Sequence, residues 1–263
     1  MGAGARVLGM YSRLRAVGVG LGVGVAGLVG GTILALLVAI LLSSAGVTIT
    51  PVLNIVLSLL LLTGVGFMGT AYLYLRRRGI PLSSLGIRMP TLTEVGLVIG
   101  ALVLSMVYLT VVGQIIQQTG TETADNQIAD LAMENPEIVL YLLPGAYLLI
   151  GPGEELLFRG VVQNRIREEF SAVPGIVIAS VIFAGVHITS LVAADPSAIL
   201  TSLTVLLGPS LLLGTLYEYT RNLMVPILVH GSYDAIIFLA LYAVATGAVD
   251  EGGTAATLVA ALL

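Results

Sequence analysis

Long apolar runs separated by short polar loops make up most of the chain. They cover about 17–42, 51–75, 94–116, 138–158, 173–192, 198–217 and 223–245. Each is long enough, or nearly so, to span the ~30 Å hydrocarbon core of a bilayer as a helix. The tail 252–263 is too short for a full crossing, so an eighth, partial span stays open. The pattern predicts an all-α fold, a polytopic helical bundle of seven to eight transmembrane helices. A segment 1–16 precedes a transmembrane domain 17–263. The first run exceeds the ~7 to 15 apolar residues of a secretory signal and is expected to be a retained helix. Within it, Gly20 and Gly24, then Gly27 and Gly31, fall at i,i+4 and suit close approach of a neighbouring helix. Between spans three and four, 125–134 is expected to form a short amphipathic helix with Ile128, Leu131 and Ala132 on one face. Pro144, Gly145, Gly151, Pro152 and Gly153 interrupt the fourth run, which predicts a broken backbone facing a cavity.

Composition sharpens this picture. Hydrophobic residues make up 57% of the 263 and charged residues only 10%, with a mean hydropathy of +1.05, which excludes an ordinary soluble domain. All eleven basic residues are arginine, the net charge is −4, and no face is basic enough for a nucleic-acid partner. Without cysteine there is no disulfide, thiolate metal site or thiol nucleophile. Arginines collect before the first run, at Arg76, Arg77, Arg78 and Arg88, and at Arg165, Arg167 and Arg221. Acidic residues without arginine fill 117–137, and Asp250 and Glu251 follow the last run. By the enrichment of arginine in cytoplasmic loops, the N-terminus is expected inside. No internal repeat is visible, which weighs against a transporter built from inverted halves.

Against this background a few polar residues stand out. Glu154, Glu155 and Asp234 are the acidic residues well inside predicted spans, and the chain's two histidines, His187 and His230, are there too. Ionisable groups at bilayer depth are expensive and are functional-site candidates by default. Glu155 and Arg159, Phe183 and His187, and His230 and Asp234 are each spaced i,i+4, so each pair shares a helix face. At ~1.5 Å per residue, Glu154 and His230 are expected on the order of 7 to 12 Å below the inner surface, with His187 deeper. The bland reading, in which such groups only glue helices together, covers Arg159 or Asp234 singly. It does not cover five groups converging from three helices.

The three motifs Glu154-Glu155-x-x-x-Arg159, Phe183-x-x-x-His187 and His230-x-x-x-Asp234, in that order, resemble the CAAX-protease and bacteriocin-processing (Abi) family of intramembrane proteases, with the core at about 138–245. The resemblance is to the CAAX prenyl protease type 2 branch, where the last position is asparagine in eukaryotic members and is Asp234 here. It implies an intramembrane endopeptidase at the cell membrane, opening toward the cytoplasm and cutting near that face. Its substrate would be a membrane-associated peptide or lipidated protein. Without a cysteine, and without a serine in a recognisable triad, the nucleophile is a water that needs a general base. Glu154 is expected as that base with His187 sharing the water, and His230 and Asp234 as the groups facing the carbonyl oxygen. Glu155 is expected to pair with Arg159, and Phe183 to contact substrate. Two cofactor states fit, a divalent metal such as zinc bound by these histidines and carboxylates, or none. The rival functions are a non-catalytic scaffold or immunity protein of the same fold and, less favoured, a proton-coupled transporter.

Overall fold

The computed structural model describes residues 3–192 and 195–249. The tail 252–263, where an eighth span stays open, and the acidic pair Asp250 and Glu251 lie outside the described residues. Among the described residues seven helices are long and apolar enough to cross a membrane. They are α1 (Ala3–Ser44), α2 (Pro51–Arg77), α3 (Leu92–Thr119), α5 (Pro136–Arg167), α6 (Ala172–Ser190), α7 (Pro196–Thr220) and α8 (Met224–Ala245). The short helix α4 (Gln127–Glu134) joins α3 to α5. Leu21, Ile33, Val103, Leu148 and Leu200 are exposed on these helices, as a surface solvated by lipid requires. The protein is an all-α, multi-pass membrane protein.

Three features depart from the pattern. First, α5 does not break at Gly151-Pro152-Gly153. It continues to Arg167 as one helix whose turns widen to π geometry at Ala146–Ile150 and Leu156–Gln163. Proline lacks the N–H that would close its turn, and a π-turn absorbs the lost bond without ending the helix. Second, the last residues of α6 tighten into a 3-10 turn, His187–Ser190. The chain there leaves the helix as β2 (Leu191–Val192), antiparallel to β1 (Asp125–Asn126), with Asp125 opposite Val192. Third, α4 begins at Gln127, capped by the Asn126 side chain. Ala132 is buried and Leu131 packs inward, but Ile128 is 40% exposed.

Helix α5 runs through the middle of the bundle, in contact with α1, α2, α6, α7 and α8. Every residue from Leu157 to Gln163 is buried. The glycines of α1 serve packing: a Cβ on Gly31 would stand 2.7 Å from Leu62 Cα of α2, and one on Gly66 of α2 2.7 Å from the Gly27 carbonyl oxygen. Gly20 and Gly24 lie against Val162 and Phe158 of α5. A polar ladder joins α5 to α7, in which Gln163 Nε2 donates to the Gly214 carbonyl (3.0 Å) and Asn164 Nδ2 to the Tyr217 hydroxyl (3.0 Å). Arg167 ends it in a two-pronged pair with Glu218 at 3.0 and 2.8 Å.

The two ends of the bundle differ in charge. At one, Arg78 pairs with Glu168, Arg165 with Glu168 and Arg221 with Glu218, and Arg88 joins Glu94 in a capping box built on Thr91. At the other lie Glu122, Asp125, Asp130, Glu134, Glu137 and Asp195, with no arginine among the described residues. At the arginine-rich end the turn into α8 is sunk into the protein. Asn222 and Leu223 are fully buried, and Gly86, at φ 70°, lies over it so closely that a Cβ would meet the Arg221 carbonyl oxygen.

Candidate active site

The continuous α5 changes the expected depth of the site. Glu154 is about thirteen residues from Arg167 rather than four or five from the helix end, or ~20 Å along the axis. His187 is about fifteen residues from the start of α6, ~22 Å, so the depth mismatch expected between the two disappears. His230 is only six residues into α8. The sunken turn at Asn222 and Leu223 brings it level with Glu155.

Close helix approach makes this alignment possible. A Cβ on Gly153 would stand 2.8 Å from Thr63 Cγ2 and 2.9 Å from the Thr63 carbonyl oxygen of α2. A Cβ on Gly151 would stand 3.1 Å from the Ile227 carbonyl oxygen and 3.3 Å from the Gly231 nitrogen of α8. A side chain is therefore excluded at Gly153 and tight at Gly151, and the two close approaches hold the glutamates between α2 and α8.

Glu155 is completely buried and holds two partners. Arg159 Nε lies 3.1 Å from its Oε2, an ion pair without the alignment of a hydrogen bond. His230 Nδ1 is 2.8 Å from its Oε1. A carboxylate facing an arginine can only accept, so His230 donates from Nδ1 and its Nε2 points elsewhere. Arg159, also fully buried, places Nη2 3.3 Å from Ser210 Oγ of α7 and its guanidinium 4.8 Å from the Phe183 ring centre. The expected Glu155–Arg159 pair is thus present, and it carries His230 as well.

His187 is oriented in the same way. Its Nδ1 is 2.9 Å from the Phe183 carbonyl oxygen, which only accepts, so Nδ1 carries the proton and Nε2 the lone pair. Both histidines then converge on one atom. His187 Nε2 and His230 Nε2 each lie 3.9 Å from Glu154 Oε2, and His230 Nε2 is 3.6 Å from Asp234 Oδ2. Glu154 Oε2 is buried and accepts no hydrogen bond from the protein.

Glu154, His187, His230 and Asp234 line one cavity of about 280 Å³ whose walls are otherwise mainly apolar. Phe183, expected to contact substrate, is not among its lining residues. It is buried in edge-to-face contact with Phe158 at 5.1 Å and lies 4.7 Å from the His187 ring and 6.0 Å from that of His230. It borders only a smaller chamber of about 80 Å³ behind the histidines, shared with Ser105, Pro209 and Ser210. The sequence reading missed Ser210, the α7 partner of Arg159. It also missed Tyr233, whose hydroxyl is buried without a partner beside Asp234. Tyr233 sits between His230 and Asp234 in the sequence and was open to notice; a serine in an apolar span gives no signal.

A zinc ion would draw on Glu154 Oε2 and the two Nε2 atoms, since both Nδ1 atoms are already committed. Donors around tetrahedral zinc stand roughly 3.4 Å apart, and 3.9 Å is wider than that. No group of three or more histidine, aspartate or glutamate side chains among the described residues is close enough as it stands to hold a metal ion.

Part of the chain resembles known proteins. Residues 136–236 match the model of a family described as type II CAAX prenyl endopeptidase Rce1-like. Over 89 residues the chain is 39% identical to an uncharacterised protein, YpbD, of Bacillus subtilis; the match covers 34% of this chain and 40% of that relative. No solved structure matches the chain. The matched segment contains Glu154, Glu155, Arg159, Phe183, His187, His230 and Asp234, and over that segment the chain is similar to the CAAX prenyl protease family.

Proposed function

We propose that the protein is an intramembrane endopeptidase that hydrolyses a peptide bond with a water activated by Glu154 and His187. One observation carries this reading: two imidazole Nε2 atoms on different helices face the same carboxylate oxygen of Glu154 at 3.9 Å. That spacing is too long for a direct hydrogen bond and suits one water touching all three atoms. The water oxygen attacks the peptide carbonyl while Glu154 takes its proton, with His187 Nε2 as a second acceptor that holds the water in line. The carbonyl oxygen gains charge on the side of His230, which carries protons on both ring nitrogens between Glu155 and the cavity carboxylates and donates from Nε2. Asp234, 3.6 Å from that nitrogen, and Glu155 on Nδ1 fix the ring between them. The proton on Glu154 then passes to the leaving amine as the C–N bond breaks. No step requires a metal, and chelation is the test of one.

The substrate is a membrane-associated peptide, and a lipidated C-terminal tail is the family's own precedent. We place the arginine-rich end in the cytoplasm on the arginine bias of its loops. Glu154 is then ~20 Å from that end, near the middle of the bilayer rather than at its cytoplasmic face.

The test is cleavage of quenched fluorescent peptides, with and without a prenylated C-terminal cysteine motif, by the purified full-length protein in detergent. Turnover by the wild type and its loss in Glu154→Gln is the expected result. A well-folded wild type that leaves every peptide in a broad library intact would return the protein to the scaffold reading.

A further inference from the structure

The cavity has a direction. Its lining includes Ile55 near the start of α2, Asn126 and Ile128 at α4, Leu142 early in α5, Ser190 at the end of α6 and Leu241 late in α8. All six lie toward the arginine-free end. In the other direction it stops at Phe67 and Glu154, behind which Leu157, Phe158 and Phe183 are closely packed. Beyond that layer Leu85 and Leu223, both buried, seal the arginine-rich end. Among the described residues the cover on the arginine-free side is one short helix and one two-residue strand pair.

We infer that the peptide reaches Glu154 from the arginine-free end of the bundle, passing beneath α4, and that the segment it threads is apolar with a cationic flank. The apolar part follows from the cavity walls. The cationic part follows from the charge of that end of the bundle, where Glu122, Asp125, Asp130, Glu134, Glu137 and Asp195 stand outside the cavity lining and without an arginine among the described residues, Asp125 adjoining the lining residue Asn126. Their charges already strain one another: partial burial, then Asp125 and Glu134, raise the Asp130 carboxyl above its usual range. A cation at the rim relieves that repulsion, and an anion adds to it. With the arginine-rich end in the cytoplasm, this entry lies on the opposite face from the cytoplasmic opening that the sequence predicts; the inference itself is about which end of the molecule opens.

The absence of cysteine makes the test clean. Single-cysteine variants of the full chain are reconstituted in sealed vesicles and treated from one side with membrane-impermeant methanethiosulfonates. Thr63→Cys reports the cavity interior, Thr189→Cys its rim, Thr121→Cys the arginine-free end and Ser84→Cys the arginine-rich end. Thr63→Cys and Thr189→Cys are expected to react from the same side as Thr121→Cys. At low salt, Thr189→Cys is expected to react about threefold or more faster with the trimethylammonium reagent than with the sulfonate, and the preference shrinks with added salt. Reaction of Thr63→Cys from the Ser84→Cys side, or from neither side while the thiol still reacts in denaturant, overturns the entry route. Equal or faster reaction of Thr189→Cys with the sulfonate overturns the cationic flank. The inference takes its substrate from the protease reading. The labelling detects access and not turnover, so a failure of either is seen apart from the other.

Discussion

Glu155 and His230, seventy-five positions apart in the chain, share the shortest contact in the site, 2.8 Å from carboxylate oxygen to Nδ1. Through it a fully buried ion pair on α5 decides which nitrogen of a histidine on α8 faces the cavity. In the proposed mechanism the second glutamate of the motif is therefore a positioning residue, and the first is the one left free for chemistry.

Replacing Glu154 with glutamine removes the proton acceptor and keeps the shape. The turnover number is expected to fall by about 10²- to 10⁴-fold, while size-exclusion profile and thermal midpoint stay near wild type. Retained turnover in a stable variant would move the general base to another group.

Glu155→Gln strands Arg159 in the protein interior with the Ser210 hydroxyl and the Phe183 ring but no carboxylate beside it. Breaking one side of a buried pair costs about 3 to 5 kcal/mol. The double variant Glu155→Gln, Arg159→Met is expected to recover most of that stability in thermal unfolding but not the activity, because His230 has lost the ionised partner on Nδ1. Recovery of both would reduce the pair to a packing element.

Phe183→Leu separates two roles. The ring touches both histidines and Arg159 and does not line the main cavity. A positioning role lowers kcat and leaves KM nearly unchanged. A rise in KM alone would restore the direct substrate contact expected from the motif.

Gly153→Ala pushes a methyl into the Thr63 carbonyl oxygen, which as backbone cannot rotate away. Overpacking of this kind costs about 1 to 3 kcal/mol. It also displaces Glu154, the next residue, so activity is expected to drop further than stability alone explains. Normal activity with a normal melting midpoint would show that α2 has room to move.

Chelators distinguish the two cofactor states. Activity is expected to survive prolonged treatment with EDTA and phenanthroline. Loss that zinc restores would draw Glu154 Oε2 and the two Nε2 atoms in around an ion.

The spans were legible because hydropathy reports burial in lipid directly, and the site because charges in such spans are rare enough to count by eye. Continuity of α5 was not legible. Gly-Pro-Gly reads as a break in one dimension, while π-turns and flanking helices preserve it in three. The strand pair was hidden for a related reason, since Leu191 and Val192 extend an apolar run whose helix has already ended at Ser190. The role of Glu155 needed the fold, because no spacing rule relates position 155 to 230.

The sunken turn before α8 sets a vertical register. The height of His230 beside Glu155 depends on how far Asn222 and Leu223 are pressed inward, and the loop that covers them contains Gly86, some 140 residues earlier in the chain. One helical turn of slippage there would carry His230 about 5.4 Å past its partner. In the proposed mechanism that loop, remote from every catalytic atom, is a height adjustment on the site, and a bulkier residue at Gly86 is expected to change turnover without touching substrate.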